Sequence, residues 1–212
     1  MEKHKIADDL YLFRSSVPNV PITFNQYLIL GEKPMLLQTG SFQQAEELVS
    51  LLKEILGEQK LEYVFVSHFE SDECGGLGII LEQYPSAKTI CSQVTARQFA
   101  GFGLAYDVIV ESHGDILETE DYKFEFISYP SEMHMWEGLL AFEAKRGIIF
   151  SSDLLIRMDK INEITAKVDF VEEINKITQQ QGIPATAYGE IQKNLLKLSL
   201  TSIAPGHGPF LI

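Results

Sequence analysis

Residues 64–76 read VFVSHFESDECGG, in which an apolar run stops at Ser67 and a polar cluster follows at once. His68, Glu70 and Asp72 are three potential metal ligands at alternate positions, and two glycines come after them. An apolar run of β-branched and aromatic residues predicts a buried strand, and in α/β folds ligands bind at the carboxyl end of such strands. The segment therefore predicts a ligand site at a strand end, completed by side chains from elsewhere in the chain.

Three other segments place metal-binding side chains in the same manner. His134, Asp153 and His207 each follow an apolar, strand-like segment, and His207 lies in the run PGHGP. Imidazoles and carboxylates are common metal ligands, so four separate segments carry candidate ligands at strand ends. For each histidine taken alone, a structural or surface role is the alternative. The other two histidines have no such placement: His4 is expected in a frayed N-terminus, and His113 in an exposed polar turn.

Hydrophobic periodicity predicts a chain of mixed strands and helices. An amphipathic helix is predicted from Phe42 to about Gly57, because its apolar residues recur in steps of three and four. Further helices are predicted at 76–84, 93–102, 170–177 and 187–198. Strands are predicted at 10–13, 26–30, 35–37, 61–67, 89–91, 108–110, 116–117, 122–126, 138–143, 147–150 and 201–204. This order predicts a layered α/β or α+β protein with a large sheet core.

Composition bounds the class of protein. The length of 212 residues predicts one domain, 1–212. The formal net charge of −13 predicts that this domain binds neither nucleic acid nor anionic membranes. The two cysteines form no disulfide framework and no CxxC zinc motif. No signal segment and no apolar run of 18 residues are present, so a cytoplasmic location is expected.

The ordered set of ligands resembles the metallo-β-lactamase superfamily, and within it the diiron branch, the flavodiiron proteins. The superfamily pattern begins with His-x-His-x-Asp-His, and continues with a distant His, an Asp after a strand and a Gly-His-Gly element. In this chain Glu70 stands in place of the second His, which sets the diiron branch apart from the zinc hydrolases. The resemblance implies an α/β (α+β) fold: a four-layer αβ/βα sandwich of two mixed sheets with outer helices.

The resemblance also implies a site with two iron ions and a bridging oxo or hydroxo group. His68, Glu70 and His134 would hold the first metal, Asp72 and His207 the second, and Asp153 would bridge both. Three carboxylates and three imidazoles, with no thiolate, make a hard oxygen and nitrogen site that suits iron or manganese.

The chain departs from the flavodiiron pattern in three ways. Glu73 stands where the superfamily has His, and Gln38 where many relatives have Asp. The sequence also stops at Ile212, before the flavodoxin-like domain of the full-length relatives, so no FMN is expected in this chain. The stand-alone oxygen-binding diiron proteins have this organisation.

Two classes of function follow from the resemblance, and a third hypothesis, a metal-free structural relative, is disfavoured because all six ligand positions carry competent residues. The first is a diiron protein, expected as a homodimer, that binds O₂ or NO as a sensor, or reduces them with electrons from a rubredoxin- or flavodoxin-like donor. The alternative is a metal-dependent hydrolase of the lactonase or thioesterase kind, which uses a metal-bound hydroxide. Whether the protein is an enzyme is left open, with oxidoreductase preferred.

Overall fold

The computed structural model describes residues 1–17, 19–129, 137–180 and 185–212. Within these ranges the strands form two sheets of seven, and six α-helices accompany them. The helices are α1 (Phe42–Leu56), α2 (Ser71–Cys74), α3 (Leu77–Gln83), α4 (Gln93–Gly101), α5 (Phe170–Gln180) and α6 (Ala185–Leu195). A 3-10 turn covers Met158–Lys160.

The first sheet contains the strands of the N-terminal half in chain order. Its strands are β1 (Glu2–Ala7), β2 (Leu10–Ser16), β3 (Thr23–Ile29), β4 (Met35–Leu37), β5 (Tyr63–Phe65), β6 (Lys88–Cys91) and β7 (Val108–Val110). Strands β1 to β4 pair antiparallel, whereas β4 to β7 pair parallel through helical crossovers. The sheet is therefore mixed, as predicted.

The second sheet is also mixed, with the order β12-β14-β13-β11-β10-β9-β8. Its strands are β8 (Ile116–Glu118), β9 (Lys123–Tyr129), β10 (Gly138–Glu143), β11 (Ile148–Ser152), β12 (Thr165–Ala166), β13 (Ser202–Pro205) and β14 (Phe210–Leu211). Strand β11 pairs antiparallel with β10 but parallel with β13, so β11 and β13 end at the same edge of the sheet.

The core has the layers of a four-layer sandwich. Alternate residues of β5 and of the position after it show this: Tyr63 and Phe65 pack against the second sheet, whereas Val64 and Val66 pack against helices. Helices α1, α3 and α4 cover the outer face of the first sheet, and α5 and α6 cover that of the second. The predicted αβ/βα sandwich is confirmed.

The first turn and the end of α1 are set by local sequence. The side chain of Gln44 accepts a hydrogen bond from the Ser41 backbone N–H at 2.7 Å, which satisfies one amide at the start of the helix. Gly57 follows the last helical residue and has φ +56°, a backbone conformation that residues other than glycine rarely adopt. The predicted helix therefore begins and ends where the sequence places it.

The prediction of a frayed N-terminus is wrong. Glu2–Ala7 form the edge strand β1, in which His4 lies opposite Leu12 of β2. Most of the strand is exposed, so main-chain pairing rather than burial holds it. Within the described ranges, no helix is both long and apolar enough to span a membrane.

Candidate metal centre

The His68-x-Glu70-x-Asp72 segment lies directly beyond the carboxyl end of β5. His68 is fully buried, and its Nε2 lies 3.0 Å from Oε2 of Glu70. Glu70 has an extended backbone and starts α2, and Asp72 lies in the first turn of that helix. This change from strand to helix turns the three side chains toward the same edge of the sandwich.

Asp153 lies between two imidazoles. Its Oδ2 is 3.4 Å from Nε2 of His68, and its Oδ1 is 3.1 Å from Nε2 of His207. Ser152, directly before it, has φ +49°, and this left-handed residue ends β11 and redirects the chain. The carboxylate therefore presents one oxygen to each half of the site.

His207 follows β13 and is oriented by the first sheet. Its Nδ1 lies 2.8 Å from the carbonyl oxygen of Thr23, so the ring donates Nδ1–H and directs Nε2 into the site. That Nε2 is also 3.4 Å from Oδ2 of Asp72. The Phe24 ring packs edge-on against the imidazole at 5.2 Å between centroids.

The described contacts form a continuous chain from Glu70 through His68, Asp153 and His207 to Asp72. One ligand atom each from His68, Glu70 and Asp153 lies within 4.8 Å of the other two, which is close enough for a shared metal ion. The structure thus brings together five of the six predicted residues. His134 lies outside the described residues.

The site brings several carboxylates close together where they are largely buried. Burial raises the pKa of Asp72, and the charges of Asp153 and Glu70 raise it further, while His207 opposes them. Burial would lower the pKa of His207, but its contact with Asp153 and its bond to Thr23 raise it above the ordinary value. Both pKa shifts favour the protonated form, and a bound cation could neutralise the carboxylates in place of those protons.

Glu73 adds a buried carboxylate. Its Oε1 accepts hydrogen bonds from Gln38 Nε2 at 2.7 Å and Ser152 Oγ at 2.9 Å, whereas its Oε2 is buried and has no hydrogen-bond partner. Burial, and then the charges of Asp153 and Asp72, raise the pKa of Glu73 well above its ordinary value. A buried carboxylate oxygen without a donor, beside two further carboxylates, fits a site that holds cations.

The donor set also fits iron. Oxygen and nitrogen atoms face the site, and the nearby Cys74 thiol donates instead to the Glu70 carbonyl oxygen at 3.2 Å. Burial raises the pKa of Cys74 to about 12, which favours the thiol over the thiolate. A hard site of carboxylates and imidazoles suits iron or manganese.

Comparison with known proteins gives the family. The model of the ODP family beta lactamase matches residues 22–208, most of the chain. The chain belongs to this family. Its relatives are flavodiiron proteins, matched over their beta-lactamase-like region.

One curated relative of this ODP family chain is the nitric oxide reductase of Moorella thermoacetica. It is 26% identical over an alignment of 200 residues, and the match covers 88% of the chain and 49% of the relative. The chain therefore spans about half the length of this relative.

Solved structures show the same fold. A mutant of the flavo di-iron protein from Thermotoga maritima has a TM-score of 0.84 at 22% identity, over 99% of the chain and 57% of that protein. The rubredoxin oxygen:oxidoreductase of Desulfovibrio gigas has a TM-score of 0.81 at 18% identity, over 99% and 57%. These matches show that the chain has the fold of the metallo-β-lactamase-like core of flavodiiron proteins.

The candidate metal centre of this ODP family chain opens into a cavity of about 580 Å³. Asp72, Asp153 and His207 lie on its polar side. Its apolar side is lined by Val17, Ile22, Phe24 and Ile156. A small ligand in this cavity thus reaches Asp72, Asp153 and His207 past an apolar wall.

Sequence reasoning missed the residues that orient the predicted ligands. Thr23 holds His207 through a backbone carbonyl that no side-chain pattern reveals. Ser152 contacts Glu73, and its Oγ lies 3.5 Å from Nδ1 of His68. Gln38, which the sequence marks only as a departure from Asp, is buried and donates to Glu73. That departure was the one available signal.

Proposed function

We propose that this ODP family chain holds two iron ions linked by a carboxylate, and that it binds O₂ or NO there. His68, Glu70 and His134 would hold the first iron, Asp72 and His207 the second, and Asp153 would bridge them through its two oxygens. Iron in such a site supplies the chemistry, because it binds diatomic ligands and exchanges electrons with them.

The placement of Asp153 carries this proposal. Its two carboxylate oxygens face different imidazoles, at 3.4 Å and 3.1 Å, and these imidazoles come from different sheets. A carboxylate that served one metal would leave one oxygen for a hydrogen-bond donor. The arrangement instead suits two cations on either side of one carboxylate.

The chain's own groups set the surroundings of the site. The Thr23 carbonyl fixes His207 with Nε2 toward the metals, and full burial fixes His68. Among the five proposed ligands that the structure describes, Glu70 is the most accessible, with 40% of its side chain exposed. Phe24, Ile22 and Ile156 line the approach and exclude part of the water from it.

The activities for which two related proteins are named support the choice of ligand. The Moorella protein is a nitric oxide reductase, and the Desulfovibrio protein is a rubredoxin oxygen:oxidoreductase. By this analogy we propose that the chain works either as a reductase with a rubredoxin- or flavodoxin-like donor or as a sensor with a signalling partner. A homodimer is part of the same proposal.

The first experiment measures metals and spectra together. The expected result is two irons per chain, and a new charge-transfer band when O₂ or NO is added to the reduced protein. Asp153→Ala should lose both properties, whereas His4→Ala, at an exposed strand, should keep them. Zinc in place of iron, with no spectral change on adding gas, would overturn the proposal. Steady consumption of O₂ with an added donor separates a reductase from a sensor.

A metal-dependent hydrolase is the second candidate function. The observation that favours it is the cavity of about 580 Å³, which is much larger than a diatomic ligand needs. Cleavage of lactones or thioesters by the zinc-loaded protein, lost in Asp153→Ala, would favour this alternative. Iron loading without cleavage would remove it.

A further inference from the structure

A buried serine and a buried glutamate lie beside Nδ1 of His68. The other ring nitrogen, Nε2, lies 3.0 Å from Oε2 of Glu70 and 3.4 Å from Oδ2 of Asp153, so Nε2 faces the candidate metal site. Oγ of Ser152 lies 3.5 Å from Nδ1. The same Oγ lies 2.9 Å from Oε1 of Glu73. The described contacts thus run from the imidazole through a hydroxyl to a carboxylate.

The chemistry of these three groups sets the direction of each hydrogen bond. A carboxylate oxygen only accepts, so the Ser152 hydroxyl donates its proton to Glu73 and presents a lone pair to His68. A neutral imidazole that binds a metal through Nε2 carries its proton on Nδ1, which then donates. Hydrogen bonds in functional sites are often long until the ligand binds, so a separation of 3.5 Å is compatible with this bond.

Glu73 is held firmly at both its side chain and its backbone. Gln38 Nε2 donates to Oε1 at 2.7 Å, and the Thr39 backbone N–H donates to the Glu73 carbonyl at 2.9 Å. Glu73 and Ser152 are both buried, so bulk water does not compete for their hydrogen bonds. The carboxylate therefore fixes the orientation of the hydroxyl that donates to it.

The backbone of both donors to Glu73 gives independent support. Gln38 has φ +67° and Ser152 has φ +49°, a left-handed conformation that four non-glycine residues adopt in the part of the chain that the structure describes. Such conformations cost free energy and persist where the surrounding structure demands them, often at functional sites. Two of these four residues donate to the same oxygen of Glu73. The fold thus tolerates strain at both side chains that hold this carboxylate.

The two described histidines of the candidate site have different partners at Nδ1. His207 donates to the neutral carbonyl of Thr23, whereas His68 faces a hydroxyl that a carboxylate polarises. A carboxylate behind an imidazole makes its ring more basic and strengthens its bond to a metal. The chain therefore supplies a stronger support to His68 than to His207.

We propose that Ser152 and Glu73 are positioning residues for His68, which keep its proton on Nδ1 and direct Nε2 to the first metal. Neither residue contacts a metal in this arrangement. The proposal rests on the proposed role of His68 as a metal ligand, but it depends neither on iron nor on the binding of a gas.

Co²⁺ titration, followed by calorimetry and proton NMR, tests the proposal. Bound Co²⁺ shifts the N–H protons of its imidazole ligands far from the rest of the spectrum, and a hydrogen bond slows their exchange with water. We expect one such resonance that His68→Gln removes. Ser152→Ala should lose this resonance to fast exchange, and it should bind Co²⁺ about tenfold more weakly.

Ser151→Ala is the matched control. This neighbouring serine is also buried, but its hydroxyl donates to the Leu154 carbonyl at 2.8 Å. The control should keep both the His68 resonance and the affinity for Co²⁺. Glu73→Gln separates position from charge, because it retains an oxygen that accepts from Ser152. It should keep the His68 resonance while it binds Co²⁺ about tenfold more weakly.

Three results would overturn the proposal. The first is that Ser152→Ala and Ser151→Ala have equal affinities and equal His68 resonances. The second is that Glu73→Gln loses the metal while Ser152→Ala retains it, which would make Glu73 a metal ligand itself. The third is that the wild-type protein shows no shifted His68 resonance. Iron content and gas binding are measured separately, so a failure of the proposed function is distinguished from a failure of this proposal.

Discussion

Glu73→Gln should change the stability of the metal-free protein and its affinity for metal in opposite directions. The substitution keeps the shape of the side chain and its carbonyl acceptor for Gln38 and Ser152. It removes a charge from the neighbourhood of Asp72 and Asp153, and it replaces the oxygen that lacks a donor. We therefore expect the metal-free variant to be more stable than the wild-type protein.

The magnitude follows from the raised pKa of Glu73. A carboxyl group whose folded pKa exceeds its unfolded value of 4.5 stabilises the fold fully only below pH 4.5. Each pH unit above 4.5, up to the folded pKa, then costs about 1.4 kcal/mol. Glu73→Gln should therefore raise the free energy of unfolding by about 1–3 kcal/mol at pH 7, and by close to zero at pH 4.5.

Chemical denaturation in the presence of a chelator, at pH 5 and pH 7, measures this effect. Glu143→Gln is the matched control, because Glu143 is also fully buried. Both of its oxygens are satisfied, by the backbone N–H groups of Lys123, Lys145 and Arg146 and by the Arg146 guanidinium at 3.1 Å. That control should lose about 1–3 kcal/mol, since Gln leaves a backbone N–H donor without its acceptor, whereas Arg146 keeps its ion pair with Asp9.

Metal titration supplies the second half of the test. The Glu73 charge adds to the attraction between the site and its cations, so Glu73→Gln should bind metal about tenfold more weakly. A variant that loses stability in the metal-free state, as Glu143→Gln does, would show that Glu73 is a structural acceptor. That result would refute the view that this buried charge is tolerated for the sake of the metals.

Three further predictions concern the same site. Thr23→Val removes the hydroxyl that accepts hydrogen bonds from the Gly208 backbone N–H at 2.9 Å and from Arg14. It should lower the free energy of unfolding by about 1–3 kcal/mol in chemical denaturation, whereas Thr23→Ser should stay near the wild-type value. Glu70→His should shift metal loading from iron toward zinc in competition experiments, and an unchanged metal ratio would contradict the importance of that carboxylate. Removal of metal by a chelator should lower the melting temperature measured by calorimetry, because the ligands come from both sheets; an unchanged temperature would contradict the proposed site.

The strands and helices that the sequence predicts are those whose apolar residues form a continuous run or recur with a regular period. In α1 the buried residues Ala45, Leu48 and Leu52 lie on one face, as their spacing predicts. The strand β1 has no such pattern, because it is an exposed edge held by backbone pairing with β2. The two-residue strands β12 and β14 are too short for any periodicity to appear.

The sequence likewise predicts only part of the candidate site. The placement of His68, Asp153 and His207 at strand ends is visible in the sequence, and the structure brings the three together. Their roles as metal ligands remain a prediction. The contacts that orient them are not visible, because Thr23 and His207 lie 184 residues apart and one partner is a backbone carbonyl. Side-chain identity predicts which groups gather, but not which backbone atoms hold them.

The seam between the two sheets explains why the site forms there. Ser67, directly before His68, accepts from the Leu139 backbone N–H at 2.9 Å and donates its hydroxyl to the Leu139 carbonyl at 2.6 Å, so β5 is tied to β10. Gly138 permits this approach, because a Cβ there would lie 2.6 Å from the Ser67 carbonyl oxygen and 2.9 Å from the Cβ of His68. On the other side, Asn25 of β3 donates to the carbonyls of Pro205 and Gly208 at 3.0 and 2.8 Å.

These ties fix the ends of β5 and β13 against the opposite sheet before any metal binds. The first sheet contributes His68, Glu70 and Asp72, and the second contributes Asp153 and His207. Neither set is complete alone, so a metal pair held by both would bind the closed sandwich and not the separated sheets. By mass action, such binding stabilises the docking of the two sheets as well as the site itself. The buried carboxylates that weaken the metal-free sandwich are the groups that a bound metal pair would convert into links across the seam.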